Sequence, residues 1–198
     1  MDQPILHLAS SSPRRRQLLT ALGLRFTHGG SDVDESRLDG EAVETMALRL
    51  AAVKALAVTP EIHGERPVLS ADTIVVVDDR VFGKPADEND ALAMLEALSG
   101  RGHRVVTGVA LRDGNDLSTA LSVTDVEFRD IGTDEARAYW QSGEPAGKAG
   151  AYAIQGLGGI FVRSIRGSYS GVVGLPVYET AALLRRSGID VLQPADRL

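Results

Sequence analysis

Four stretches of the sequence carry side chains suited to work on phosphate. The first is Ser10-Ser11-Ser12-Pro13-Arg14-Arg15, a loop that leaves an apolar strand and opens a helix. Such a loop offers unpaired backbone N–H groups and the positive end of the helix dipole, so it attracts anions. Serine hydroxyls and two guanidiniums turn it into a phosphate cradle. Arginine at a helix N-terminus also opposes the macrodipole, which calls for a compensating anion. The second stretch is Ser70-Ala71-Asp72-Thr73 inside an otherwise apolar strand. A buried carboxylate must be paired, bound to metal or protonated, and such groups cluster at functional sites. The third is the acidic loop with Asp32, Asp34 and Glu35, a composition that suits Mg²⁺ when completed by water and substrate phosphates. The fourth is a set of lysines: Lys54 on a helix, Lys84 in Gly83-Lys84-Pro85, and Lys148 in Gly147-Lys148-Ala149-Gly150. The residue before a proline is held extended, so the Lys84 side chain can be aimed. Tyr152, Gln155 and Tyr169, in a glycine-rich segment, could contact a base. Each stretch has a plainer competing reading: a capped surface helix, an aspartate bonded to bulge amides, a solvated acidic loop, surface lysines and packed tyrosines.

The elements that must hold these groups follow from apolar spacing. Residues 5–9 read as a buried strand, and Pro13 behind a Ser12 cap, with closing Gly23, reads as a helix. A brief strand at Phe26 and the acidic loop 31–37 precede a helix over 41–58, with Val43, Met46, Ala47, Leu50, Ala51 and Val53 at helical spacing beside Lys54. Residues 68–82 read as a hairpin turning at Asp78-Asp79, 87–99 as a helix, 105–111 and 117–128 as strands, and 133–142 as a helix. Of the 32 residues from 143 to 174, nine are glycine, against 12 in the other 166. That stretch must adopt unusual φ values or approach something closely. It is expected to hold a strand at 160–162, before a last helix over 176–187 capped by Gly188. The order of elements predicts an α/β fold, a mixed twisted sheet flanked by helices and folded in two lobes around a central cleft, as one domain over residues 1–198.

Composition narrows the chemistry. The 198 residues include no cysteine, which excludes a disulfide framework, a zinc ribbon, a thiol nucleophile and an iron–sulfur site. Any metal must be held by oxygen or imidazole. With 21 basic against 27 acidic residues and a net charge of −6, the balance argues against a broad nucleic-acid-binding face but allows a small polyanion in a local basic pocket. Only Lys54, Lys84 and Lys148 among the 21 basic residues are lysine. No run approaches the roughly 18 apolar residues of a membrane span, so a soluble cytoplasmic protein is expected. There is no G-x-x-x-x-G-K-[ST] and no H-E-x-x-H, and Gly156-Leu157-Gly158-Gly159 fails the dinucleotide fingerprint because position 161 is Phe. His7, His28, His63 and His103 share no ligand spacing and read as incidental.

Taken together, Leu8-Ala9-Ser10-Ser11-Ser12-Pro13-Arg14-Arg15, Asp34-Glu35, Ser70-Ala71-Asp72-Thr73, Gly83-Lys84-Pro85, Ser142-Gly143-Glu144-Pro145, Lys148-Ala149-Gly150-Ala151-Tyr152-Ala153-Ile154-Gln155-Gly156 and Val173-Gly174-Leu175-Pro176 resemble the Maf (septum formation inhibitor-like) nucleoside triphosphate pyrophosphatases, in the family's order, from about residue 5 to 185. The resemblance implies the inosine triphosphate pyrophosphatase-like fold and hydrolysis of a nucleoside triphosphate to monophosphate and pyrophosphate. It also implies a divalent cation, Mg²⁺ or Mn²⁺, and a homodimer. The segment ending Gln155-Gly156 looks like the dTTP/UTP branch, so a pyrimidine nucleoside triphosphate is the expected substrate. By the same resemblance Asp72 is the proton acceptor, Glu35, Lys54 and Lys84 are catalytic, and Ser10, Ser12, Arg14 and Arg15 bind substrate. Arg14, Thr73 and Gln155 set specificity, and Glu35 and Asp72 hold the metal. Gly147 departs from the Asp that relatives often carry there. A nucleotide-binding regulator of septum formation, without turnover, is the alternative from another class. The carboxylate and lysine set favours the enzyme, and the missing P-loop disfavours a kinase.

Overall fold

The computed structural model describes residues 3–192. Its strands form one seven-stranded sheet in the order β2-β1-β3-β5-β6-β7, with β4 paired to β3 alone. The members are β1 (Leu6–Ala9), β2 (Phe26–Gly29), β3 (Val68–Val77), β4 (Arg80–Phe82), β5 (Gly102–Asp113), β6 (Asp116–Phe128) and β7 (Val162–Arg166). β1 runs parallel to β2 and β3, whereas β3–β4 and β6–β7 are antiparallel, so the sheet is mixed as expected. The helices are α1 (Pro13–Ala21), α2 (Val43–Leu56), α3 (Pro60–His63), α4 (Glu88–Leu98), α5 (Thr133–Gln141), α6 (Tyr169–Val173) and α7 (Val177–Arg186).

The chain divides into two compact units. The first comprises the chain up to Asp72, Thr107–Ser122 and the chain from Gly174, and the second comprises Thr73–Val106 and Val123–Val173. The first unit's core is aliphatic, built from Leu6, Leu8, Leu19, Leu69, Val109 and Leu183. α2 seats here on a face of fully buried small residues, Ala47, Ala51 and Ala55. The absence of a side chain at Gly108 on β5 is what allows the approach, since a Cβ there would lie 2.3 Å from the Ala47 carbonyl oxygen. Ser70 Oγ of β3 donates to the Ala51 carbonyl at 2.5 Å. Beyond the end of α2, Arg112 donates to the carbonyls of Leu56 and Val58 at 3.2 and 2.8 Å, which satisfies acceptors that a helix C-terminus leaves open.

The second unit's core is aromatic. His103, Phe128 and Tyr152 meet edge to face with centroids 4.8 to 5.5 Å apart, and Tyr139 meets Phe161 at 5.0 Å. Met94, Leu95 and Leu98 of α4 fill the remainder. The turn between β3 and β4 places both Asp78 and Asp79 at positive φ, 48° and 61°, the pattern of a two-residue hairpin turn whose twist matches its strands.

Four local expectations are corrected. The strand expected at 160–162 starts only at Val162, because Leu157–Phe161 winds into a 3-10 turn. The Ser12 side chain makes no capping bond; its backbone N–H donates instead to Ser10 Oγ at 3.2 Å. β5 and β6 extend the long hairpin beyond the expected 105–111 and 117–128, since polar residues on a solvated strand face do not interrupt pairing. α3 and α6, of four and five residues, were not expected, being too short for periodicity to register.

Candidate active site

In the first unit three of the expected residues meet at one point. Lys54 Nζ lies 2.5 Å from Asp72 Oδ1 and 2.6 Å from a Glu35 carboxylate oxygen. Lys54 is 8% exposed and Asp72 7%, while the Glu35 side chain remains 49% exposed. Asp72 is therefore a buried carboxylate neutralised by a buried ammonium, with the second carboxylate at its open side. The small-residue face of α2 carries Lys54 down to β3, so the close approach at Gly108 and the Ser70 bond fix this pair. Glu35 comes from a loop anchored just after it: Arg49 donates to the Ser36 carbonyl at 3.0 Å, and Arg37 donates twice to the Glu41 carbonyl. Arg49 also pairs with Glu41 through two bonds of 2.6 and 2.7 Å, which hold that carboxyl well down, at about 2. Asp34 is engaged within the loop: the Ser36 side chain and then the Ser36 N–H, which donates to Oδ1 at 2.8 Å, lower its pKa.

The serine–arginine loop belongs to the same unit. Ser10 is buried, and its Oγ accepts from Arg15 Nη1 at 3.4 Å. Arg15 Nε donates to the Gly174 carbonyl at 2.7 Å. Burial lowers the Arg15 pKa, opposed by the charges of Asp72 and Glu35 and reinforced by Arg14. Arg15 thus stands in the field of the two carboxylates that Lys54 bridges. Ser12 and Arg14 are half-buried at the start of α1. The Gly174 carbonyl is an anchor that the residue-level reading did not identify, because a backbone acceptor leaves no signature in side-chain chemistry.

The remaining expected residues lie in the second unit. Thr73 is half-buried on β3, directly after Asp72. Lys84 is exposed in the loop after β4, and the Gly83 carbonyl accepts from Gly150 N–H at 3.1 Å, which ties that loop to the Lys148–Gly150 segment. Lys148 Nζ donates to the Ala146 carbonyl at 3.1 Å, and Gly147 before it has φ +70°, a value glycine takes without strain. Gln155 is exposed on a turn closed by Gly156 N–H donating to the Ala153 carbonyl at 3.1 Å. Two residues without an assigned role shape that turn. Tyr139 Oη accepts from Ala153 N–H at 3.1 Å and donates to Glu144 at 2.7 Å, and Glu144 accepts from Leu157 N–H and Gly158 N–H at 2.9 Å each. Burial works to raise the pKa of Glu144, but the Gly158 N–H, the Tyr139 hydroxyl and the Leu157 N–H outweigh it and hold it below the usual value.

Glu35 and Asp72 carry oxygen donors of the kind a hard divalent cation takes. One oxygen of each lies 2.6 and 2.5 Å from the Lys54 ammonium that bridges them, and the other carboxylate oxygens are the ones a cation would take. Among the described residues no group of three or more His, Asp or Glu side chains gathers to hold a metal. The rest of a coordination shell would come from water and phosphate oxygens, the habit of Mg²⁺.

The family model described as "Maf-like protein" matches residues 5–187. The chain belongs to this family. A relative of this Maf-like protein from Pseudoalteromonas translucida (strain TAC 125), named dTTP/UTP pyrophosphatase, is 49% identical over 180 residues, covering 91% of this chain and 95% of its own. A protein of the same name from Methylococcus capsulatus (strain ATCC 33009 / NCIMB 11132 / Bath) is 51% identical over 184 residues, covering 93% and 91%. A solved structure, "The structure of the Staphylococcus aureus Ham1 protein", aligns over 62% of this chain and 71% of that one with TM-score 0.41 and 14% identity, too loose a likeness to argue from. Among the described residues, no helix of the Maf-like protein is long and apolar enough to cross a membrane.

Proposed function

We propose that this Maf-like protein is a dTTP/UTP pyrophosphatase, releasing pyrophosphate and the nucleoside monophosphate from pyrimidine nucleoside triphosphates. The observation that carries the reading is the Glu35–Lys54–Asp72 cluster, a buried carboxylate poised by an ammonium beside a second, half-exposed carboxylate. Relatives of about half identity over nearly the whole chain bear that enzyme name. In this reading water attacks the α-phosphorus, its proton passes to the Asp72 carboxylate, and the bond from the α-phosphorus to the α,β-bridging oxygen breaks to free pyrophosphate. Lys54 orients Asp72 through Oδ1. Ser10, Ser12, Arg14 and Arg15 hold the phosphates, with Lys84 as a further cation. At an effective dielectric near 20, one cation about 4 Å from a phosphate charge gains roughly 4 kcal/mol before desolvation. Glu35 and Asp72 would hold a divalent cation, Mg²⁺ or Mn²⁺, which when bound polarises phosphate oxygens and lowers the pKa of water. Its charge suits the site, because Lys54 and Arg15 already offset both carboxylates and a triphosphate arrives strongly negative.

Gln155, with an amide donor and acceptor, matches the O4 and N3–H edge of uracil or thymine, and Thr73 and Arg14 complete the specificity set. A cytoplasmic location is part of the same proposal. So is a homodimer, which family resemblance alone supports. Asp72→Asn tests the reading: pyrophosphate release from UTP should fall on the order of 10³-fold or more while the thermal melt remains cooperative. Retained turnover in the folded variant would remove Asp72 from the base role.

A further inference from the structure

The glycine pattern after Gln155 has a physical cause outside the phosphate chemistry. A Cβ at Gly156 would lie 2.0 Å from a Glu144 carboxylate oxygen, and one at Gly158 would lie 2.5 Å from the Tyr139 hydroxyl oxygen. Neither position has a positive φ, so close approach is what marks them: at Gly158 a Cβ would also lie 2.9 Å from the Ala153 backbone N and O, whereas at Gly156 it would have to push the Glu144 carboxylate aside. The approaching groups are the two that grip the turn. Tyr139 holds its entry at Ala153 N–H, and Glu144 holds its exit at Leu157 and Gly158 N–H. Tyr139 and Glu144 are themselves joined at 2.7 Å, so entry and exit are tied to one side-chain pair, and Gln155 sits between them. The base of the clamp is rigid, because Tyr139 is 5% exposed and packs against Phe161.

We propose that Glu144, with Tyr139, is a positioning residue for base selection, setting where the Ala153–Gly156 turn presents the Gln155 amide. This rests on the reading of Gln155 as the group that recognises the pyrimidine. Glu144 touches neither phosphate nor the Asp72 cluster in this role, so its loss acts on recognition and not on the chemical step. Glu144→Gln keeps the size of the side chain but substitutes an NH₂ for one of two acceptor oxygens, setting a donor against a backbone donor.

Steady-state pyrophosphate release with the full chain, using UTP and GTP, tests this. Gln155→Ala should lower the UTP-to-GTP ratio of kcat/KM about tenfold, the scale of one lost recognition contact. Glu144→Gln should lower the same ratio by about as much, through a raised KM for UTP with kcat within about twofold. The double variant should be no less selective than Gln155→Ala alone, because the two substitutions remove one interaction. Should Glu144→Gln fail to fold, Tyr139→Phe removes only the linking hydroxyl and should lower the ratio about threefold. A ratio that collapses in Gln155→Ala but survives in Glu144→Gln and Tyr139→Phe overturns the positioning role alone. Loss of kcat for both substrates alike also overturns it, since that marks a scaffold. If Gln155→Ala leaves the ratio intact, the reading of Gln155 fails and the inference falls with it.

Discussion

The two units hold their functional side chains by different means. In the first, charge meets charge: Lys54, Asp72 and Glu35 converge because a helix with an alanine face lies hard against β5 and β3. In the second, Gln155 is exposed, and what is fixed is backbone, gripped through peptide N–H groups by a tyrosine and a glutamate. A carboxylate that must be nearly dry has to be carried on packed elements, because errors of a few tenths of an ångström change its electrostatics steeply. A group that reads the edge of a base needs direction more than burial, and a clamped turn supplies it.

The first unit is most vulnerable at Lys54. Lys54→Met leaves Asp72 buried without its partner, at a cost of about 3 to 5 kcal/mol; urea unfolding should report that loss, and turnover should fall on the order of 10³-fold. An unchanged unfolding midpoint would mean that the Asp72 charge is solvated or neutralised by other means. Next in size is Gly108→Ala, which forces a methyl group against the Ala47 backbone and should cost about 1 to 3 kcal/mol. Because α2 must retreat and take Lys54 with it, kcat should fall as well, in contrast to the KM effect expected of Glu144→Gln in the other unit. A stable variant with full kcat would show that helix seating and catalysis are independent. Ser70→Ala removes one buried bond to the same helix and should cost about 1 kcal/mol, read from the same unfolding curves.

The second unit's core holds a titratable group that burial keeps neutral. His103 is buried with its Nδ1 unpartnered, and burial lowers its pKa from 6.5 to about 4. Between those values the unfolded chain binds a proton that the folded chain does not, so stability rises with pH across this window and is lost as pH falls from 6.5 toward 4. Wild type should therefore lose more stability than His103→Gln between pH 7 and pH 5. Equal losses would place the acid sensitivity elsewhere.

Much of this was legible in the sequence, for reasons particular to each region. Asp72 stood out because a carboxylate in an apolar strand violates the strand's own pattern. Lys54 fell on a helix whose apolar spacing was strong enough to place the element, although a solvated surface lysine remained the competing reading there. The mixed sheet followed from a strand–loop–helix opening succeeded by hairpins. Between 143 and 174 the reading failed in detail: glycines hide periodicity, and 3-10 turns held by side chains leave no apolar spacing to count. The partnership of Glu144 with Gly156 and Gly158 links positions more than ten residues apart through a carboxylate and backbone amides, which no local window registers.

That partnership also sets which sequence changes the protein can accept, and in what order. A side chain can appear at position 156 only once the carboxylate at 144 has gone or moved, while loss of the carboxylate alone strands the turn without its acceptors. Positions 144, 156 and 158 are therefore coupled, because the Glu144 carboxylate lies against Gly156 and accepts from Gly158 N–H.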